Sequence, residues 1–233
     1  MATRKTTAAD GVQKLNVQIK APNLQVAVLE LVGTAPYVQN KFSAKARQKM
    51  HDDQAAGHTS KKGAKKDPKD FQAMYQGAIH HLPDGGYGIP APAFRNAAIS
   101  ACRICGFHMT QAKLAVFVQE DGFDPTDQTP LVRLAGEPEY FETYGRNDNG
   151  GVDLRARPMW QPGWRITLRV KFDADMFTLT DIMNLFDRVG QQVGVGEGRP
   201  DSKKSAGQGW GLFRIMNEEE VKKDLKKGVK KAA

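Results

Sequence analysis

The segment TDIMNLFDRVGQQVGVGEGRPDSKKSAGQGWGLFRIM, residues Thr180–Met216, decides the fold. It opens with an amphipathic stretch, Thr180–Gln191, which predicts a helix with Thr180 as its N-cap. It ends with an apolar stretch, Trp210–Met216, which predicts a strand. The residues between them form a long helix-to-strand loop, and loops that carry many special residues are commonly functional.

The glycine-rich loop, residues 194–211, contains six glycines beside basic and aromatic side chains. Glycine has no Cβ, so it adopts positive φ freely and lets another chain's backbone come close. Glycines next to cations and a flat ring suit a surface that meets phosphates and bases. The side chains predicted to contact nucleic acid here are Arg199, Lys203, Lys204 and Trp210.

Further elements follow from hydrophobic periodicity along the chain. Apolar or alternating stretches predict strands over Leu24–Val32, Leu114–Gln119 and Trp164–Phe172, with a further strand over Leu131–Leu134. In Trp164–Phe172 the residues between the apolar positions are Arg165, Thr167, Arg169 and Lys171, which predicts a half-buried strand with a basic outer face. Apolar residues at helical spacing predict a helix over Ala93–Gly106, which Pro92 begins and Gly106 stops.

The order of the main elements is βαββαβ, the ferredoxin-like or RNA-recognition-type order, with an antiparallel sheet. We therefore expect an α+β fold in one domain over residues 15–217, with a disordered arm at 1–14 and a charged tail at 218–233. Two large insertions are expected, a lysine-rich one at 41–70 that is extended or mobile and a hairpin at 136–162. An open antiparallel sheet is a common platform for single-stranded nucleic acid.

Composition narrows the class of protein. The chain has 233 residues and a formal net charge of +8, which favours a polyanionic partner. Two cysteines are too few for a disulfide framework, and no apolar run is long enough to cross a bilayer. The polar N-terminus lacks a secretory signal, so we expect a soluble protein of the cytoplasm, with no membrane partner.

The motif GVGEGRP followed by GQGWGLF resembles the glycine-rich loop of the RAMP superfamily, which supplies RNA-binding subunits of CRISPR effector complexes. The stretches LVGTAPYVQNKFSAKA, GGYGIPAPAFRNAAISACR and VDLRARPMW resemble small bacteriophage proteins. The resemblance covers about Leu24–Met216. It implies a modified RNA-recognition fold and oligomerisation along a nucleic-acid strand. The chain is shorter than the usual backbone subunits, which favours a stand-alone phage protein of the host cytoplasm that coats single strands.

A second candidate surface lies in the hairpin insertion. Asn149-Gly150-Gly151 is a hairpin-type turn signal. Arg155 and Arg157 alternate with apolar residues, so both share one face of an extended segment. With Trp160 and the nearby Arg146, they are predicted to hold phosphates and to stack a base. The alternative is an exposed hairpin whose arginines pair with acidic neighbours.

Four further cations are candidate contacts, three in the lysine-rich insertion and one at the start of the helix predicted over Ala93–Gly106. Lys41, Lys45 and Lys49 align at helical spacing, and the repulsion between them would be relieved by an anion. Arg95, at the start of the predicted helix, either contacts the strand or covers the helix's wet face.

Several chemistries are not supported. Cys102 and Cys105 lack a second ligand pair for zinc and are expected to be buried on the helix. Asp124 and Asp127 have no ligand ladder around them, and the glycine loop lacks a Walker ending. No metal, cofactor or catalytic residue is expected.

These patterns predict a non-enzymatic protein that coats single-stranded DNA or RNA with little sequence preference, as an oligomer or filament, in replication or recombination. Two alternatives stay open. One is a RAMP-like endoribonuclease that uses His80 or His81, or a guide-RNA-binding subunit. The other is a basic protein that binds an acidic protein partner.

Overall fold

The structure is a computed structural model and describes residues 19–57, 68–146, 151–202 and 207–223. It combines helices with antiparallel sheets, in agreement with the predicted α+β class. The strands are β1 Leu24–Gly33, β2 Tyr37–Val38, β3 Tyr87–Pro90, β4 Val116–Gln119, β5 Gly122–Phe123, β6 Pro130–Leu134, β7 Glu139–Arg146, β8 Val152–Trp160, β9 Arg165–Asp173 and β10 Phe213–Ile215. The helices are α1 Ala44–Ala55, α2 Phe71–Gly77, α3 Ala91–Cys105, α4 Met109–Ala115 and α5 Leu179–Arg188.

The central sheet has four strands in the order β10-β1-β9-β4, and every neighbouring pair is antiparallel. Helices α3 and α5 pack against each other, α3 also contacting β4 and α5 contacting β1 and β10. The side chains of Ala27, Leu29 and Leu31 point towards these helices and are buried. Two three-stranded sheets, β2-β8-β7 and β3-β6-β5, complete the architecture.

Strand β9 has the alternation that the sequence predicted. Its even-numbered residues 166–172 are buried and Arg165 and Thr167 are exposed. A strand with one apolar face buries that face and leaves the other in water. The predicted half-buried strand is therefore confirmed.

The two core helices show how local signals set helix ends. Helix α3 begins at Ala91, two residues before the predicted Ala93, and has Pro92 in its first turn. It ends at Cys105, and Gly106, with a φ of 70°, is the C-cap that stops it, as predicted. Helix α5 begins earlier than predicted, because Thr178 rather than Thr180 is the N-cap and forms a capping box with Asp181. A π-helical turn, Val189–Val193, then replaces the predicted last helical residues.

Three other predicted boundaries are wrong. Residues 109–115 form α4, so the strand predicted from Leu114 starts only at Val116. The last strand is confined to Phe213–Ile215, because the tight packing of the glycine loop takes up the residues before it. In the lysine-rich insertion, α1 extends to Ala55, where extended chain was predicted, and 58–67 lie outside the described residues.

No helix within the described ranges has the length and apolar content needed to span a bilayer.

Candidate nucleic-acid interface

The glycine-rich loop packs against its own chain. A Cβ on Gly211 would lie 1.7 Å from the carbonyl oxygen of Val195, and one on Gly196 would lie 2.6 Å from a ring carbon of Tyr37. Backbone hydrogen bonds hold this packing, since Val195 donates to Gly211 at 3.0 Å and Gly211 donates to Pro36 at 2.7 Å. The close approach that glycine permits is thus, at these positions, an approach within one chain.

The hairpin formed by β7 and β8 meets this loop through an acidic residue. The Nε of Arg157 lies 2.7 Å from Oε2 of Glu197, and an Nη of Arg155 lies 3.8 Å from its Oε1. Arg155 also lies 3.6 Å from Asp153. The structure therefore brings the two predicted arginines to the glycine loop. It also gives them carboxylate partners, as in the alternative interpretation.

Two further predicted residues of the loop are described. Arg199 donates to the carbonyl oxygen of Gly196 at 3.0 Å and is partly buried. The ring of Trp210 is partly buried and packs edge-to-face on Phe141, with ring centroids 5.7 Å apart. Lys203 and Lys204 lie outside the described residues.

Trp160 cannot stack a base in this structure, and that prediction is corrected. Its side chain is 1% exposed and its Nε1 donates to the carbonyl oxygen of Gly136 at 3.1 Å. The rings of Tyr37 and Tyr87 flank it, with centroids at 5.5 Å and 5.7 Å. Tryptophan has a large apolar surface, so its burial in the core is favourable when its N–H donates a hydrogen bond there.

Lys41 does not share a helical face with Lys45 and Lys49, because α1 begins only at Ala44. Its ammonium is buried and lies 2.6 Å from Oδ2 of Asp124. Lys49 lies on α1 and is exposed, whereas the side chains of Lys45 and Arg146 are outside what the structure describes.

The carboxylate of Asp124 also contacts His80, whose Nδ1 lies 2.9 Å from its Oδ2. Burial alone would raise the pKa of Asp124. Hydrogen bonds from Lys41, the backbone of Thr126 and His80 instead hold that pKa well below its usual range. The aspartate is therefore a charged, fully partnered group of the interior rather than a member of a flexible loop, which corrects the sequence interpretation.

Asp127 completes a set of three residues that could hold a cation. Candidate ligand atoms of His80, Asp124 and Asp127 lie within 4.8 Å of one another. The ammonium of Lys41 already neutralises Asp124, so a metal ion would have to displace it. His81 is half-buried and packs on Tyr87 at 5.6 Å.

This buried cluster predicts a dependence of stability on pH. Burial lowers the pKa of His80, against the opposing effect of Asp124, so the unfolded chain takes up a proton at a higher pH than the folded one. The free energy of unfolding is therefore highest above pH 6.5, the pKa of His80 in the unfolded chain. It decreases as pH falls from there towards the pKa of the folded state, by at most about 1.4 kcal/mol per pH unit.

Urea denaturation between pH 7.5 and about 5 measures this slope. We expect H80Q to reduce the slope. Equal slopes in the wild type and H80Q would contradict the assignment.

A further candidate surface, which the sequence did not predict, is the face of the central sheet opposite α3 and α5, and no helix of the described residues covers it. Strand register places Lys171 opposite both Val26 and Phe117, and Arg169 opposite Val28. These five residues form the open sheet face. Val26 and Val28 are 51% and 59% exposed.

Cations surround the one aromatic ring of this face. The guanidinium of Arg95 lies 5.3 Å from the ring centroid of Phe117, and the ammonium of Lys171 lies 5.7 Å from it. The Arg95 guanidinium also donates to the carbonyl oxygens of Val116 and Lys113, so it is fixed at the end of β4. Arg169 lies opposite Gln119 at the other end of β4 and pairs with Asp121. A shallow depression runs between Phe117, Arg169 and Lys171.

The basic alternation in Trp164–Phe172 was a sequence signal for half of this face. The other half, Val26, Val28 and Phe117, comes from strands that lie 46 or more residues away from β9 in sequence. Only the register of the sheet brings them beside the cations.

No protein-family model matches the chain, and no curated protein matches it significantly in sequence. A function for this chain therefore rests on the geometry of the described residues.

Proposed function

We propose that this protein binds single-stranded DNA or RNA, largely without sequence preference, and does so as an oligomer. The observation that carries the proposal is the open sheet face, where exposed valines and a phenylalanine ring lie beside Arg169, Lys171 and Arg95. Single strands are bound by surfaces that combine flat or apolar platforms for bases with cations for phosphates.

The arrangement of the sheet supports a ferredoxin-like core. Taking only β1, α3, β4, β9, α5 and β10 gives the order βαββαβ, and the strands lie in the order fourth, first, third, second. Both helices cover one face, and within the part of the chain that the structure describes the other face has no helix over it. The resemblance to the RAMP superfamily implies this topology, and we propose that the chain is related to that superfamily.

The open sheet face suits a strand of any sequence. A base can stack on Phe117, because every base has a flat face, and Val26 and Val28 offer adjoining apolar surface. Arg95 and Lys171 lie within reach of a phosphate beside that base. None of these groups reads the edge of a base, so the selection among sequences is expected to be weak.

The junction of the glycine loop and the hairpin is a second cationic surface in this proposal. Arg155 and the buried Arg157 pair with Glu197, Arg155 also pairs with Asp153, and Arg199 bonds to the carbonyl oxygen of Gly196, so a phosphate would have to compete with two carboxylates and a carbonyl for them. We therefore assign the main binding energy to the open sheet face. The junction has the secondary role of guiding the strand beyond it.

Photocrosslinking tests the location of binding. The full chain is irradiated with oligo(dT) or with oligo(U) carrying a photoreactive base, and crosslinked peptides are mapped. We expect crosslinks in β4 and β9, at or next to Phe117 and Lys171, with both strands. Crosslinks confined to Trp210 and Phe141, or none above those of a non-binding control protein, would contradict the proposal.

A further inference from the structure

Strand β1 has an unpaired edge along most of its length. On one side it pairs with β9 from Leu24 to Val32 without interruption. On the other side it pairs with β10 only at Leu31–Gly33. Among the described residues, positions 24–29 of this strand therefore form an edge of the central sheet.

The direction of the backbone groups along this edge is fixed by two hydrogen bonds near its end. Glu30 accepts from Met216 at 2.7 Å and Thr34 donates to Leu212 at 2.9 Å, so even-numbered residues point towards β10. In an antiparallel ladder the N–H and C=O of one residue point to the same side. The backbone groups of Val26 and Val28 thus point out of the sheet edge. Within the described ranges they have no partner on that side.

Exposed apolar side chains lie beside this edge on the helical side of the sheet as well. Leu179 and Met183, one turn apart on α5, are 53% and 43% exposed. Helix α5 packs over β1 and β10, so an added strand could cover these side chains. Long, uncovered apolar edges of this kind are templates for pairing with another strand.

The strand that fits must be apolar on the face that meets α5 and polar on the face that meets solvent. The chain contains such a segment before β1, KLNVQIK, residues 14–20. Leu15, Val17 and Ile19 alternate there with lysine, asparagine and glutamine, the period of a strand with one apolar face. Ile19 is 89% exposed in the single chain.

The residues that precede β1 lie on the side of the strand away from its open edge. Asn23 accepts a hydrogen bond from Ala174 at 2.8 Å, and Lys20 lies 3.9 Å from Asp175. Ala174 and Asp175 lie in the turn directly after β9. These contacts hold residues 20–23 on the β9 side of β1. A segment held there can reach the β10-side edge of another copy without crossing its own strand.

We propose that residues 14–20 of one copy add as a strand to the open edge of β1 in a second copy. Each copy has one such donor segment and one such edge, so the contact is head-to-tail and continues from copy to copy. This deepens the oligomer that the proposed function includes. It needs no nucleic acid, so it is tested without any.

Complementation between two defective variants tests the contact in the full chain. In the donor variant V17D/I19D two apolar anchors carry charge, and in N16D/Q18D the same charge is added on the solvent face. In the acceptor variant V28P the edge N–H is removed without touching the β9 ladder. V26P replaces it if the thermal unfolding of V28P shows a lost fold.

Sedimentation velocity across a concentration series gives the outcomes. We expect the wild type and N16D/Q18D to self-associate, and V17D/I19D and V28P to associate about 100-fold more weakly or not at all. A mixture of the two defective variants should form a one-to-one dimer and nothing longer, because it contains one intact donor and one intact edge.

Three results would overturn the proposal. One is a wild type that stays monomeric at all concentrations, including one in which residues 15–19 are protected from hydrogen exchange by their own chain. The second is equal association of V17D/I19D and N16D/Q18D. The third is a mixture that remains monomeric. Loss of nucleic-acid binding with intact self-association would instead count against the proposed function alone.

Discussion

Replacing Gly211 by alanine is expected to lower the free energy of unfolding by at least about 3 kcal/mol. Its φ of 70° is unfavourable for any residue with a Cβ, at about 1–2 kcal/mol. The new Cβ would lie 1.7 Å from the carbonyl oxygen of Val195, a backbone atom that cannot rotate away. The loop must therefore separate, which breaks the hydrogen bond from Val195 to Gly211.

Gly209 supplies the matched control, because its φ of 73° is nearly the same and nothing lies within 4 Å of its Cβ position. G209A carries only the backbone strain, so we expect a loss of about 1–2 kcal/mol. Urea denaturation of both variants gives the difference. Equal losses would show that the glycine loop does not pack as described.

Removing the two strand cations of the open sheet face should weaken nucleic-acid binding strongly. In R169Q/K171Q we expect the affinity for oligo(dT) or oligo(U) to fall about 10- to 100-fold at low salt. The slope of log K against log salt should become less steep by about two. Each cation that binds a phosphate releases about one counterion, and this variant has lost two such cations.

The control R188Q/K222Q removes the same charge from two exposed side chains, one on α5 and one in residues 218–223, which are helical and follow β10. It should change affinity only slightly. F117L keeps apolar volume but removes the ring, and a lost base stack of about 1–3 kcal/mol corresponds to a fall of about 5- to 150-fold. If the control double variant weakens binding as much as R169Q/K171Q, net charge rather than this face determines affinity.

Elements set by neighbouring residues could be predicted from the sequence. The alternation around Leu168 defined β9, Gly106 defined the C-terminal end of α3, and Pro92 marked its first turn. The N-cap of α5 was misplaced by two residues because Thr178 and Thr180 are both acceptable caps. Only the position of Asp181 relative to the first turn distinguishes them.

Side-chain roles that depend on distant strands could not be predicted. The same pattern that places Trp160 on a ribbon fits either a stacking surface or a core, and the proximity of Tyr37 decides for the core. Lys41 looked like a surface cation because its partner, Asp124, lies 83 residues later. In the glycine loop the sequence indicated close approach, and the fold supplied the partner, Val195.

Direct binding of a homopolymer tests the central claim, that this chain holds unpaired nucleotides on the open sheet face. Fluorescence anisotropy of labelled oligo(dT) and oligo(U) is measured with the wild type across a salt series. We predict saturable binding at low salt for at least one strand, a linear fall of log K with log salt, and displacement by unlabelled homopolymers of other sequence. No saturable binding of either strand at the lowest salt, with the protein folded, would contradict the claim.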